Sequence, residues 1–285
     1  MYNLISFSQN IKNVFRIAAP YIQGTEIKSS SDLRKPYLDF LSVHQKEYPV
    51  NYSQNRIITD SKRAQQLSKA FSASRINDLH QEQMVGEFYN SEEQAIRVAR
   101  VELALEQLHK MNFELWDLFR LCIHSILITG SETNQSGLKA HGGTSSKCIG
   151  LMWLTINHEL STQDIVEMLI HELTHTLIFI DELSHPQFRY DDIAKEETWA
   201  LSAILNRTRP MDKVIHSIVV ATEVMLSRKI FLKNEEPLRV HPHSDRMCKS
   251  TLDAIQSVLD LETVERVCLP RSIHLIQECQ RKLLA

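Results

Sequence analysis

The residues in this chain with the clearest capacity for chemistry are two histidines and a glutamate in the run His-Glu-Leu-Thr-His at residues 171–175. Residues four apart lie on the same face of an α-helix, so both imidazoles can reach one metal ion while Glu172 stays close to it. Neutral imidazole is a common ligand of zinc and iron. The spacing therefore predicts a metal site formed by His171 and His175, with Glu172 as a catalytic residue beside it.

The sequence around this motif predicts a long helix. Ser161 is a candidate N-cap, Asp164 follows in the first turn, and no Gly or Pro interrupts residues 164–183. Apolar side chains recur at helical spacing along one broad face, whereas both histidines lie on the opposite side with Asp164 and Glu182. We therefore expect a buried helix that presents the histidines to a cavity.

Two histidines do not complete a catalytic metal site, which usually has three protein ligands and an open position. Glu196 and Glu197 follow His175 by 21 and 22 positions (196 − 175 and 197 − 175), a distance that resembles the gluzincin metallopeptidases. In such an enzyme Glu172 would activate a water molecule for attack on a peptide carbonyl. His216, which opens an apolar helical segment, is the second candidate for the third ligand.

A third candidate is the cluster of His241, His243 and Asp245, with His274 as a distal histidine. It matches the histidine-x-aspartate half of the 2-His-1-carboxylate iron triad. That triad normally lies on a β jelly roll, whereas this region has a helical pattern. A metzincin site is excluded, because residues 176–182 supply neither the Gly nor the third His that such a motif requires.

Three blocks of sequence together resemble a bacterial family of HExxH-type peptide β-hydroxylases, enzymes associated with iron(II) and 2-oxoglutarate. The blocks are Gly142–Ser146 with Gly150–Leu154, the motif at 171–175, and the segment from Arg209 to His216. Their order and spacing cover about residues 140–220. The chain departs from the family pattern at Leu173 and Thr174, where the family often has an aromatic residue and Gln.

The resemblance implies a cofactor site as well as a metal site. The metal ligands that it implies are His171, His175 and His216. Arg209 would pair with a carboxylate of 2-oxoglutarate, because a guanidinium can bind a carboxylate through two parallel hydrogen bonds. Thr144 and Ser145 would add further hydrogen bonds, and Glu172 would orient a ligand or serve as a further one. The implied reaction is hydroxylation of a side-chain Cβ in a peptide or carrier-bound amino acid, in natural-product biosynthesis.

The sequence alone is thus compatible with three functions. The first is the iron(II)/2-oxoglutarate-dependent oxygenase, and the second is a zinc metallopeptidase with Glu172 as general base. The third is a helical binding protein in which a metal only stabilises the fold. A structural zinc site usually has four ligands and is rich in cysteine, and only Cys148 of the five cysteines lies near the motif. We therefore rank the third function last.

The composition excludes several classes of partner. The net charge is −3 without a long basic run, which argues against nucleic acid as a partner. No segment approaches the ~20 apolar residues of a membrane span, and the first residues lack the pattern of a signal peptide. The five cysteines form no CxxC pair, so we expect a reduced, cytoplasmic protein. The sequence leaves a homodimer open.

The expected fold is α+β and mainly helical, with a small sheet beside the HExxH helix. Only 7 Gly and 8 Pro interrupt the chain, so helices should dominate. The best strand candidate is 149–156, and the Gly-rich stretch 130–150 should be irregular. Helical patterns occupy 59–109 (clearest at 92–108), 214–232, 246–261 and 271–284. We expect an N-terminal region at 1–60 packed on a catalytic domain at 61–285.

Overall fold

The computed structural model describes residues 1–24, 26–71, 85–132, 140–232 and 239–285. Parts of two sequence predictions, the helical pattern at 59–109 and the irregular stretch at 130–150, lie outside the described residues. The described chain is α+β and mainly helical, as expected. It forms two compact units, one within residues 7–184 and the other consisting of Met1–Ser6 with His185–Ala285. The structure thus divides the chain after Ser184 and not at residue 60.

The first unit, here called the N-terminal unit, combines helices with a four-stranded sheet. Its helices are α2 (Phe7–Ala18), α3 (Ser30–His44), α4 (Ser61–Ser68), α5 (Ser91–Met111), α6 (Phe113–Cys122) and α7 (Thr162–Ser184), with short 3₁₀ turns at Ala19–Tyr21 and Lys69–Phe71. Its strands are β1 (Ile57–Ile58), β2 (Ser125–Ile128), β3 (Gly142–Thr144) and β4 (Leu151–Leu154). The order of the strands in the sheet is β1-β2-β4-β3.

The sheet places a glycine-rich strand at one edge. Strands β1, β2 and β4 run parallel, with Ile126 of β2 opposite Met152 of β4. The edge strand β3 runs antiparallel to β4, with Gly143 opposite Trp153. Both β2 and β4 are wholly buried, which explains why every residue in them except Ser125 is apolar. Because α7 packs against both β3 and β4, the sheet and the HExxH helix form one layered core.

Helix α7 begins with the predicted cap. The backbone N–H of Asp164 donates to the Ser161 hydroxyl at 3.1 Å, and the backbone N–H of Ser161 donates to the Asp164 carboxylate at 2.7 Å. This reciprocal pair satisfies two N–H groups that the start of a helix would otherwise leave unpaired. The apolar face of α7 is almost completely buried against α2, α5 and α6. The predicted helix at 164–183 is therefore confirmed.

The second unit, here called the C-terminal unit, is built around one buried helix, Met211–Ser227. Its helices are α1 (Tyr2–Ile5), α8 (Met211–Ser227), α9 (Ser244–Leu259), α10 (Val264–Val267) and α11 (Pro270–Leu284), with a 3₁₀ turn at Glu196–Thr198 and a π-helical turn at Arg228–Leu232. Strands β5 (Ala200–Leu201) and β6 (Thr208–Arg209) form a short antiparallel ladder. Helices α1, α9 and α11 pack around α8.

The remaining elements follow the sequence patterns with local differences. The predicted strand 149–156 is β4, shortened to Leu151–Leu154. The N-terminal 60 residues contain two substantial helices, α2 and α3. The Gly-rich stretch contributes the strand β3 because its glycines fit against β4. No helix among the described residues is both long and apolar enough to cross a membrane.

Candidate metal centre

The structure brings the three chemically suited residues of the α7 motif together. One ligand atom from each of His171, Glu172 and His175 lies within 4.8 Å of the others. The two imidazole rings are 5.0 Å apart between centroids, and the Nε2 atom of His171 is 3.9 Å from the Oε1 atom of Glu172. Both histidines are partly exposed, whereas Glu172 is buried. The histidines can therefore be reached by a ligand while the glutamate is held in place.

Glu172 lies against the edge strand β3. A Cβ atom built on Gly142 would be 2.9 Å from the Oε1 atom of Glu172 and 2.9 Å from the carbonyl oxygen of Trp153. Such distances do not occur between a real Cβ and its neighbours, so only glycine leaves room here for the carboxyl group. Gly142 was not among the site residues indicated by the sequence. The Gly-Gly pair at 142–143 was the signal that could have identified it.

The environment of Glu172 favours its neutral form. Burial raises the pKa of its carboxyl group to about 8, and a hydrogen bond from the Thr144 hydroxyl opposes this effect only in part. The Oε2 atom is buried and, among the described residues, has no partner that meets hydrogen-bond geometry. A buried carboxyl oxygen without a hydrogen-bond partner lowers the stability of the folded protein. A cation beside Glu172 would supply the missing partner and favour the carboxylate.

The donor set suits a divalent transition metal. Two imidazoles and a carboxyl group are typical ligands of zinc and of non-haem iron. The unpaired Oε2 atom of Glu172 also fits such an ion. The residues present therefore fit a metal, and the choice between zinc and iron depends on further ligands.

The two loop residues predicted to bind the cofactor have different roles in the structure. Thr144 ends strand β3 and interacts with Glu172, so it does lie beside the motif. Ser145 instead donates its hydroxyl to the carbonyl oxygen of Ala70 at 2.7 Å and accepts the backbone N–H of Lys147 at 3.2 Å. The Ser145 hydroxyl thus stabilises the loop that follows β3.

Arg209 and His216 form a second buried polar group, in the C-terminal unit. Each side chain is 7% exposed, and Asp212 between them is also buried. The pKa of His216 falls to about 3, chiefly through burial; the charge of Lys213 also lowers it, Asp212 raises it, and Arg209 lowers it. His216 is therefore a neutral imidazole, the form that binds metals. The guanidinium of Arg209 is close enough to influence it electrostatically.

Glu196 and Glu197 occupy a different environment in the same unit. They belong to a short 3₁₀ turn, and both are exposed. The Glu197 carboxylate is 57% exposed and lies 3.7 Å from a guanidinium nitrogen of Arg266. An exposed acidic pair beside an arginine is an ordinary surface arrangement. Their burial and partners thus distinguish these glutamates from His216.

The other candidate ligands do not converge on a site. His243 and Asp245 are 3.5 Å apart but 50% and 94% exposed, and His274 is exposed as well. Within the described part of the C-terminal unit, no three such side chains come close enough to hold a metal. All five cysteines are free thiols, and burial raises the pKa of Cys122, Cys148, Cys268 and Cys279 to about 12. The thiolate form that binds zinc is therefore disfavoured.

Comparison of the chain with protein-family models and with curated proteins gives no match.

Proposed function

We propose that the chain is an iron(II)/2-oxoglutarate-dependent oxygenase that hydroxylates a side-chain Cβ of a peptide or carrier-bound amino acid. The observation that carries this proposal is the burial of Arg209 and His216 together, each 7% exposed. A buried guanidinium near a neutral imidazole provides one group for a carboxylate and one for a metal. The gluzincin alternative depends on Glu196 or Glu197, and both are exposed.

Each residue has a role in this proposal. His171, His175 and His216 would hold the metal, and Arg209 would bind a carboxylate of 2-oxoglutarate. Iron(II) with 2-oxoglutarate supplies the activation of O₂ that inserts a hydroxyl group into a C–H bond.

Glu172 would act from a position beside the metal in this reaction. Because burial keeps its pKa at about 8, its carboxyl group is largely protonated at neutral pH in the absence of a cation. A cation beside Glu172 would favour the carboxylate, which accepts a hydrogen bond from the Thr144 hydroxyl on β3 and is held in place by it. Buried α7 and the sheet beneath it would exclude bulk water from this side of the site.

The position of strand β3 at the edge of the sheet supports the proposal that the substrate is a peptide. Among the described strands, β3 pairs only with β4, so its outer edge forms no ladder with another described strand. An extended peptide can add to such an edge through main-chain hydrogen bonds. The absence of side chains at Gly142 and Gly143 would let the peptide backbone approach closely. This arrangement would place the peptide next to Glu172.

One observation favours the alternative, a zinc metallopeptidase. A general base works best when its pKa lies near the working pH, and burial brings the pKa of Glu172 to about 8. The edge strand would serve a peptidase substrate equally well. The third ligand therefore discriminates between the two functions.

Anaerobic optical titration of the metal-free protein with iron(II) and then 2-oxoglutarate tests the proposal. We expect a visible charge-transfer band that appears only when both are present. His216→Ala should abolish this band, whereas the matched variant Glu197→Ala should retain it. Absence of the band in the unaltered protein, together with tight retention of zinc, would contradict the oxygenase and favour the peptidase. Loss of zinc binding in Glu197→Ala but not in His216→Ala would establish the peptidase ligand set.

A further inference from the structure

Helix α5 has apolar side chains on two opposite faces. One face packs against α6 and α7. The buried residues of that face are Arg97, Val101, Ala104 and Leu108. A helix at the surface of a protein normally has charged and polar residues on the other side. In α5 the side that faces solvent instead includes Ile96 and Leu103, which are 47% and 53% exposed.

The residues on the outer side of α5 follow a heptad spacing. Along the chain the steps between them are four, three, four, three and four residues, and all of them are exposed. They are Glu92, Ile96, Ala99, Leu103, Glu106 and Lys110. We call these six residues the α5 seam. Such spacing is typical of a helix that packs lengthwise against a second helix. The described part of the chain leaves the seam exposed, so packing within one copy does not explain its spacing.

The charge of the seam changes sign along the helix. Its N-terminal end is acidic at Glu92, its centre is apolar at Ile96, Ala99 and Leu103, and its C-terminal end is basic at Lys110. Two seams that run in the same direction would place like charges together at each end. Two seams that run in opposite directions would place the acidic end of each beside the basic end of the other. The seam is therefore complementary to itself only in an antiparallel pair.

We propose that the α5 seam is the interface of a homodimer in which the α5 helices of two copies pack antiparallel. With the centres of the two seams aligned, Glu92 of each copy faces Lys110 of the other. Ala99 of each copy likewise faces Leu103 of the other. A second copy is the partner because a two-fold interface uses one surface that is complementary to itself. The dimer does not depend on the proposed oxygenase activity.

Apolar contacts at the centre of the seam favour association. Burial of Ile96 and Leu103 removes apolar surface from water, and the small side chain of Ala99 lets the two helices approach closely. Glu106 is 58% exposed and forms an ion pair with Lys110 at 2.6 Å within its own helix. In the antiparallel pair, the methylene groups of Glu106 cover Ile96 of the other copy. One pair of helices is a small interface, so we expect association at micromolar concentrations.

Sedimentation equilibrium of the full chain over a range of concentrations tests the proposal. We expect the mass to rise with concentration from the 33.0 kDa of one copy to twice that value. Leu103→Glu places a charge in the apolar centre twice in each dimer, so it should weaken association about 100-fold or more. The matched control is Val43→Glu, which alters a 49% exposed apolar residue on α3 in the same unit and should dimerise normally. Both positions are exposed, so both variants should fold, and circular dichroism verifies this.

Exchange of the charges at the two ends tests the antiparallel direction. Lys110→Glu alone should weaken association about threefold or more, because Glu92 of the other copy then faces a like charge. Adding Glu92→Lys makes the facing charges opposite again, so the double variant should recover the association of the unaltered protein. A double variant that does not recover would overturn the antiparallel pairing.

Two other outcomes would overturn the interface itself. One is a mass of 33.0 kDa at every concentration tested, which would leave the seam to a different protein partner. The other is a dimer that Leu103→Glu leaves intact, which would place the interface elsewhere on the chain.

Discussion

Gly142 and Glu172 are adjacent across the interface of strand β3 and helix α7, with room for no additional atom between them. A Cβ at Gly142 would be 2.9 Å from the Glu172 Oε1 atom. The edge strand therefore sets the position of the one acidic group in the candidate metal centre. It does so through the absence of a side chain at one residue.

Gly142→Ala should disturb the metal centre. The added methyl group would displace the Glu172 carboxyl and press on the Trp153 carbonyl, and overpacking of this kind costs about 1–3 kcal/mol of stability. We expect metal affinity to fall about tenfold or more, as for other changes beside metal ligands. Gly143→Ala is the matched control, because its Cβ would make only van der Waals contacts, with the Trp153 ring at 3.4 Å and the Phe71 ring at 4.0 Å. Equal metal affinity of the two variants, measured by competition with a chelator, would refute this role of Gly142.

Arg209→Lys tests the proposed carboxylate partner. Lysine keeps the positive charge but cannot bind a carboxylate through two parallel hydrogen bonds, so we expect the apparent 2-oxoglutarate affinity to fall about 10-fold or more. Iron(II) binding in the absence of 2-oxoglutarate should change little. Arg266→Lys, at a partly exposed position beside Glu197, serves as the control. A normal 2-oxoglutarate requirement in folded, iron-loaded Arg209→Lys would remove Arg209 from the site.

His124 should make the stability of the protein depend on pH. Its Nδ1 atom faces the backbone N–H of Asn51 and the Ser125 hydroxyl, and burial lowers its pKa to about 3 from an ordinary value of 6.5. The unfolded chain therefore takes up a proton before the folded chain does. The stability contributed by neutral His124 is complete above pH 6.5 and is lost as the pH falls from 6.5 toward 3.

The expected slope from His124 is about 1.4 kcal/mol of unfolding free energy per pH unit in that range, and buried His216 adds a similar contribution. Urea denaturation between pH 7.5 and 4.5 measures the total slope. His124→Gln should reduce this slope by about 1.4 kcal/mol per pH unit. His158→Gln, at an exposed position, should leave the slope unchanged. An unaltered slope in His124→Gln would show that this histidine is not buried in its neutral form.

Glu223 should be important for the stability of the C-terminal unit. Its carboxylate lies 2.9 Å from the α-amino group of Met1 and accepts the backbone N–H groups of Asn3 at 3.0 Å and Leu4 at 2.8 Å. Both charged groups of the pair are at most 1% exposed. Removing one partner of a buried ion pair typically costs about 3–5 kcal/mol, because the other charge remains buried.

Chemical denaturation of Glu223→Ala and Glu223→Gln measures this effect. The Gln variant keeps an acceptor for the N–H groups but leaves the ammonium group unpaired, so it should be intermediate. Glu278→Ala, which removes the surface pair with Arg281, should cost less than about 1 kcal/mol. If Glu223→Ala lowers the free energy of unfolding no more than Glu278→Ala does, the buried pair does not contribute to stability.

The sequence by itself determined the features that depend on neighbours along the chain. Periodicity predicted α7 and the separation of its histidines from its apolar face, and the Ser161–Asp164 cap marked its start. The predicted strand at 149–156 also formed, as β4. These predictions succeeded because helix capping, the i to i+4 spacing and runs of buried apolar residues act over a few residues.

Tertiary structure alone decided which distant residues surround each polar group. The pairing of Glu172 with Gly142 and Thr144 requires the antiparallel edge strand. His216 is buried, whereas Glu196 and Glu197 are exposed. The spacing of these residues along the chain could not make this distinction. Desolvation and packing depend on residues that are far apart in sequence, so local sequence patterns cannot predict them.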